Sequence, residues 1–436
     1  MYCGSCLRDN ALAAEMMARG HDLSLLPIYT PTLTDERNVS GDQVFFGGIS
    51  VYLQQHVPLL RRTPAVFDRI WDAAPVIRAF AGRGVSVEPR ILGELTVSTL
   101  RGEEGFQAKE VRKLLRFLKD QPPFEVIVLP MSLLLGLAPP MKRELGRPIV
   151  CTLQGEDLFL DGLGEPWRGQ CLELIRRHAP AADAFVATSD YYSDFMAGYL
   201  GLPRDRIHTV PLGVSLAGLD PAPRERTGPF TIGYFARVAP EKGLSLLADA
   251  YRVLRLERGL PPSRLEAAGY LAPEHRGYLS GVEEKLREWG LAGEFRFHGT
   301  LDRAGKADFL RSVDVLSVPS PYAEPKGLYV LEAMATGLPV VQPRHGAFPE
   351  VIGRTGGGLL FDPHDAGSLA DALLSLARDP ARAAELGRNG AEGVRRHYTA
   401  GRMAERAAEV YRLVADPSAR AAQVPVEAAA GAAQPR

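Results

Sequence analysis

The chain has 436 residues, 46% hydrophobic and 24% charged, with 51 Lys plus Arg against 52 Asp plus Glu. That is the balance of a globular protein of two or three domains, and a formal net charge of −1 excludes nucleic-acid binding by bulk charge. Its 4 cysteines exclude a disulfide scaffold and point to a reducing compartment.

The opening MYCGSCLRDN lacks the basic-then-apolar order of a signal peptide. A helical stretch follows over Leu7–Arg19. The pair Cys3 and Cys6 invites a thiol redox or metal reading. The first needs a strand before the pair, and the second needs about four ligands, for which only Cys151 and Cys171 remain. The favoured reading makes Gly4 and Ser5 a tight loop after a first strand, with the cysteines as small loop residues. Since a doubly wound domain begins with the strand that feeds such a loop, the N-terminal sheet is expected to lack its first central strand, with the true start upstream of Met1.

Apolar runs then alternate with amphipathic stretches. Leu23–Ile28, Val126–Pro130, Pro148–Leu153, Ala184–Thr188, Phe230–Phe235, Arg264–Gly269, Phe295–Gly299, Asp314–Pro319 and Leu338–Gln342 read as buried strands. A further strand, ISVYL, is entered through Gly47–Gly48. Helical patterns such as Lys242–Gly259 lie between them. Near-continuous apolar strands separated by helices predict parallel sheets covered on both faces. The most apolar stretch, Val126–Met141, is too short and too rich in proline to span a bilayer. The alternation breaks at DPAPRERTGP (Asp220–Pro229), inside a linker placed at 214–229. Two Rossmann-like doubly wound domains are therefore expected, at 1–213 and 230–395, facing a cleft. A C-terminal helix at 396–415 and a disordered tail at 416–436 complete the chain. Open parallel sheets bind ligands outside the carboxyl ends of their strands, which makes a two-substrate enzyme with an interdomain site the default.

Two segments carry chemistry. In IGYFARVAPEKG (Ile232–Gly243) a strand ends at Phe235, and Arg237 and Lys242 follow in the loop, cations suited to a diphosphate. In PSPYAEPKGLYVLEAMATG (Pro319–Gly337) a strand gives way to Glu324, then Gly327, then a helix from Leu328 that carries Glu332. Its first turn is an anion site. Glu332, about one turn in, can take two ribose hydroxyls, and Glu324 can reach the hydroxyls of a sugar. Either feature alone also reads as solvated or capping charge; both at one sheet edge favour a site. No D-x-D occurs, which agrees with neutralisation of a diphosphate by side chains and a helix N-terminus rather than by metal.

ARVAPEKG, FHGTL, and RSVDVLSVPSPYAEPKGLYVLEAMATGLPVV with HGAFPEVI resemble the donor domain of the family 4 retaining glycosyltransferases, of GT-B fold. The resemblance implies a metal-independent hexosyltransferase that uses a nucleoside-diphosphate sugar and needs no cofactor. It implies Arg237, Lys242 and Glu324 as catalytic residues. Gly327, Leu328, Tyr329 and Glu332 would bind the donor, with Thr300 and Leu301 against the base. The N-terminal half is less similar. RGHDLSLLPIYTP looks like the family's first helix and second strand, and IVCTLQGEDLF sits where the family often reads TxHG, with Gln154 in place of histidine. Gln154, Gly155, Asp157, Gly4 and Ser5 are expected on the acceptor side of the cleft. The acceptor is a carbohydrate or a lipid-linked carrier. The location expected is cytoplasmic, with peripheral contact at the inner membrane face left open, since the Arg61–Arg62 pair is too little charge to establish it. The alternatives are a phosphorylase or epimerase of related architecture, a non-catalytic sugar-nucleotide binder, or a thiol redox protein using Cys3 and Cys6. No segment marks a pyridoxal phosphate lysine.

Overall fold

The computed structural model describes residues 4–29, 31–32, 34–47, 89–221 and 228–416. In the N-terminal half, helix α1 (Gly4–Ala18) precedes α2 (Pro89–Leu100), α3 (Ala108–Lys119), β1 (Ile127–Leu129), α4 (Ala138–Leu145), β2 (Ile149–Leu153), α5 (Asp157–Gly162), α6 (Trp167–His178), β3 (Ala184–Ala187), α7 (Asp190–Leu200) and β4 (Ile207–Thr209). The sheet is parallel, in the order β1-β2-β3-β4. Period-two burial wraps it on both faces. Ile149, Cys151 and Leu153 of β2 share a core with Val97 and Leu100 of α2 and Cys171 and Ile175 of α6, whereas Val150 packs with Ala11, Leu12 and Met16 of α1.

The C-terminal half contains β5 (Thr231–Phe235), α8 (Leu244–Arg252), β6 (Arg264–Ala268), α9 (Arg276–Glu288), β7 (Phe295–Phe297), α10 (Arg303–Ser312), β8 (Val315–Leu316), α11 (Leu328–Ala335), β9 (Val340–Pro343), α12 (Phe348–Thr355), β10 (Gly358–Phe361), α13 (Ala366–Arg378) and α14 (Pro380–His397). Its parallel sheet runs β10-β9-β8-β5-β6-β7. The chain winds outward from β5 through β6 to β7, then restarts at β8 on the other side of β5. The crevice between the carboxyl ends of β5 and β8 is thus a topological switch point.

The last described helix, α15 (Ala400–Ala415), returns to the N-terminal half. Its Met403, Ala404 and Ala407 join the core of α1, and Val214 bridges Thr399 at the crossing. An added Cβ on Gly213 would lie 2.4 Å from the Thr399 carbonyl oxygen, so this crossing requires glycine.

Several expectations need correction. Gly4 and Ser5 form the first turn of α1, not a loop; the helical positions that follow, Cys6 to Met17, are all buried or half-buried, which favours continuation of the helix. Leu23–Ile28 makes only isolated bridges, Leu25 to Ser40 and Ile28 to Phe45, because Pro27 within it cannot donate to a ladder. Strands β4 and β10 were not foreseen, being short and interrupted by polar or glycine residues. The helix from Lys242 starts at Leu244 and passes into a π-helical turn at Val253–Glu257. Among the described residues β1 pairs on one side only, and its Val128 is 40% exposed. The strand read as ISVYL, most of the Asp220–Pro229 linker core, Cys3 and the tail beyond 416 lie outside the described residues.

Candidate active site

The loops after β5 and β8 meet over the switch point. Gly243 takes φ +74°, and an added Cβ would lie 2.0 Å from the Pro319 carbonyl oxygen. The Ser320 hydroxyl donates to the Glu241 carbonyl at 2.8 Å. This close approach, open only to glycine, carries the Lys242 ammonium onto the Glu324 carboxylate as an ion pair. Lys242 also lies over the Tyr329 ring, 5.6 Å from its centroid. Glu324 is only 5% exposed. Burial pushes its carboxyl up, but Lys242, then Lys326 and the Gly327 N–H, outweigh that and hold it below the usual carboxylate range. The backbone of Glu324 is fixed as well: Ala347 N–H donates to its carbonyl at 2.8 Å.

Gly327, at φ +70°, is the N-cap of α11. The helix's first-turn N–H groups, at Leu328 and Tyr329, point out of its N-terminus toward this crevice, where the macrodipole favours an anion. Arg237 is placed at the same edge but turned aside; its half-exposed guanidinium pairs with Glu241 rather than with Glu324. Glu332, one turn into α11, accepts from Lys306 of α10 at 2.6 Å. Thr300 and Leu301 follow β7 and lead directly into α10.

Across the cleft, Gln154 is buried, and its Nε2 donates to the Pro130 carbonyl at 2.8 Å and to Asp9 at 3.2 Å. Two acceptors on one nitrogen fix the amide's orientation, a task for which one nitrogen must carry two protons. Gly155, at φ +103°, donates its N–H to the Tyr192 hydroxyl at 2.8 Å, and an added Cβ would touch Pro325 at 3.5 Å. Asp157 accepts from Tyr192 at 2.7 Å and from Tyr322, on the opposite half, at 2.8 Å. Burial, then the Asp157 charge, pushes the Tyr322 hydroxyl far up, so it stays a neutral donor. Lys326 donates to the Ser5 hydroxyl at 2.9 Å, and Leu328 lies 3.6 Å from a Cβ placed on Gly4. Thr188 donates to the Pro325 carbonyl at 3.0 Å. Gly4, Ser5, Gly155 and Asp157 of one half therefore meet the Tyr322–Leu328 segment of the other, whereas Thr300 and Leu301 make none of these contacts. A cavity of about 390 Å³ opens beside it in the N-terminal half, walled mainly by Tyr29, Leu92, Leu95, Met131, Leu133 and Phe159, with Ser5 and Gly155 at the edge near Lys326.

Residues 219–393 match the family described as Glycosyl transferases group 1, and residues 9–213 match the Glycosyl transferase 4-like domain. The chain belongs to the group 1 glycosyltransferases. The D-inositol 3-phosphate glycosyltransferase of Pseudarthrobacter chlorophenolicus is 29% identical over 398 residues, covering 85% of this chain and 90% of that one. The phosphatidyl-myo-inositol mannosyltransferase of Mycobacterium leprae is 35% identical over 213 residues, 47% of this chain and 53% of its own. Most of the curated relatives are matched over about half their length, as is the Catenulispora acidiphila D-inositol 3-phosphate glycosyltransferase, at 52%. Anabaena HepE, solved with UDP-glucose, superposes with a TM-score of 0.61 at 18% identity, over 90% of this chain and 100% of that one. Sucrose-phosphate synthase of Thermosynechococcus elongatus gives 0.60 at 22% identity, over 71% and 79%. This likeness shows the GT-B fold. Among the described residues of this glycosyltransferase, no helix is long and apolar enough to cross a membrane.

Sequence reasoning missed Lys326 and Tyr322, although both flank Glu324 in the motif it singled out. It also missed Asp35 and Lys306, which pair at 2.7 Å across 271 positions, and no local pattern announces such a pair.

Proposed function

We propose that this glycosyltransferase moves a hexose from a nucleoside-diphosphate sugar to an acceptor hydroxyl with retention at the anomeric carbon. The observation that carries the reading is the buried Lys242–Glu324 pair beside the N-terminus of α11 at the switch point. A donor diphosphate entering there gives Lys242 a second anion to face, and it frees Glu324 to accept hydrogen bonds from the sugar. As the bond from the anomeric carbon to the phosphate oxygen breaks, negative charge grows on the leaving diphosphate. Lys242, the N–H groups of Leu328 and Tyr329, and Arg237 once it swings from Glu241 stabilise that charge. The acceptor oxygen forms its bond on the same face, and its proton passes to the departing phosphate oxygen. The cations and helix N-terminus supply the neutralisation that a metal supplies elsewhere, so chelator leaves turnover unchanged. Glu332 takes the ribose hydroxyls. The acceptor enters from the N-terminal cavity, whose apolar walls suit a carbohydrate carried on an apolar body. Closure of the halves excludes water and limits donor hydrolysis.

The test is a screen of UDP-, GDP- and ADP-hexoses for nucleoside diphosphate release, beginning with UDP-glucose, the ligand of HepE. Product from the best donor is then examined by proton NMR at the anomeric centre. Release from one donor with an unchanged anomer is expected. Absence of release and of binding across the panel defeats the transferase reading, and an inverted anomer defeats the retaining one.

A further inference from the structure

Lys306 is 4% exposed and faces two carboxylates that come from different halves of the molecule: Glu332 on α11 at 2.6 Å and Asp35 in the N-terminal half at 2.7 Å. One helical turn earlier on α10, Arg303 holds Glu36 at 2.8 Å and donates to the Ala217 carbonyl at 2.7 Å and to the Ser215 carbonyl at 3.2 Å. Burial lowers the Lys306 pKa, but Glu332 and Asp35 together raise it above its ordinary value, so it remains an ammonium. A desolvated lysine is costly unless paired and hydrogen-bonded. Here both partners are present only while the two halves lie in this arrangement.

We propose that Lys306 is the positioning residue for Glu332 and that, through Asp35, it couples occupancy of the ribose site to closure of the two halves. This rests on the reading of Glu332 as the ribose carboxylate. Lys306 takes Glu332 Oε1, and among the described residues Oε2 accepts no hydrogen bond from the protein, which leaves it to a ribose hydroxyl. When the hydroxyls donate to Glu332, they share its negative charge, and Lys306 turns its attraction more fully to Asp35. Ribose binding thereby tightens a contact between the halves, and closure in return fixes the Glu332 rotamer, as reciprocity requires.

The full chain is titrated by calorimetry with UDP, GDP and ADP, taking the one bound most tightly, and with inorganic pyrophosphate, which carries the diphosphate without a ribose. Lys306→Met is expected to weaken the nucleotide about 10-fold and pyrophosphate by less than about two-fold, with Lys306→Arg recovering most of the loss. Asp35→Asn is expected to weaken the nucleotide about three-fold and again to spare pyrophosphate. It carries the test if Lys306→Met does not fold. Equal loss for both ligands in Lys306→Met, or wild-type nucleotide binding in it while Glu332→Gln binds weakly, overturns the positioning role. Wild-type binding in Asp35→Asn overturns the coupling. Wild-type binding in Glu332→Gln itself removes the ribose reading beneath both.

Discussion

In the C-terminal half the two acids of the cleft, buried Glu324 and half-buried Glu332, each face a lysine. In the N-terminal half Glu156 and Asp157 face hydroxyls and backbone N–H groups instead: Glu156 accepts from Ser132 N–H at 3.0 Å, the Ser132 hydroxyl at 2.8 Å and Gln154 N–H at 2.7 Å, and Asp157 from two tyrosines. A lysine partner can be handed over when an anionic ligand arrives, because the cation gains a second charge as the carboxylate gains hydroxyls. A carboxylate saturated by short, oriented donors has nothing to exchange; it holds its loop and cannot easily be lost, since removing it strands several buried donors. On the proposed function, the difference separates acids that meet a ligand from acids that frame the cleft, and mutation can break or sharpen it.

The largest expected effect is at Lys242. Lys242→Ala removes a cation aimed at charge that grows in the transition state, and loss of a positioned group of this kind costs about 10²–10³ in turnover. It also strips Glu324 of the first charge that offsets its burial. In the wild type the lowered Glu324 pKa contributes stability above the unfolded value of about 4.3, lost as pH falls through the lower folded value. In Lys242→Ala the Glu324 pKa rises, so the acid limb of both stability and turnover shifts to higher pH, as a pH series of thermal melts and initial rates will read. Arg237→Ala acts on the same leaving group, and the double variant falls short of the product of the singles. Near-normal turnover in both folded single variants removes them from the mechanism.

Next comes Asp157→Asn, the framing acid. The amide is neutral: it accepts from one tyrosine through its oxygen without charge assistance and sets an N–H against the other, a loss of about 1.5–3 kcal/mol. The expected outcome is a melting temperature lower by several degrees with turnover of the folded fraction within a few-fold of wild type. A loss of turnover as large as that of Lys242→Ala, without loss of stability, collapses the distinction between the two halves.

The C-terminal half was readable because its charged motifs are local. Lys242 lies in the loop after β5, and Glu324, Gly327 and Glu332 fall within one strand-loop-helix unit, so spacing alone puts them at a sheet edge. Parallel strands buried on both faces read equally well as continuous apolar runs, as β2 and β3 illustrate. The N-terminal half was opaque for a physical reason. Its cavity is walled by ordinary apolar residues from α2, the Met131–Leu133 turn and α5, each of which reads as core. The contacts that join the halves, Asp157 to Tyr322 and Asp35 to Lys306, are pairings over 165 and 271 positions with no periodicity to betray them. Gly4 and Ser5 misled for the opposite reason: a glycine before a serine suggests a turn, but tertiary packing of α1 against α15 carries them into helix.

Glu332→Gln keeps shape and loses charge. Donor affinity is expected to fall about 10-fold, since hydrogen bonds to a charged group are worth more than neutral ones. Acceptor affinity should change little. Calorimetry with the nucleoside diphosphate reads the first, and acceptor KM at saturating donor reads the second. A larger effect on the acceptor than on the donor places Glu332 with the framing acids.

The smallest effect falls on Ser5→Ala, where the halves touch at the cavity edge. The Ser5 hydroxyl accepts from Lys326 at 2.9 Å, and Lys326 in turn adds to the field that keeps Glu324 ionised. The bond is charge-assisted, but Ser5 is only half-buried and water can take the place of its hydroxyl, so the change is at most about 10-fold. Its direction matters more than its size. Lys326 keeps its charge in the variant, so the leaving group loses nothing and kcat stays near wild type. What is lost is the tether that holds the Glu324 loop against the first turn of α1, next to the proposed acceptor site. Acceptor KM is therefore expected to rise about three-fold while donor KM stays constant. A drop in kcat instead assigns Lys326 to the leaving group rather than to the seam between the halves, and moves it to the exchangeable side of the comparison.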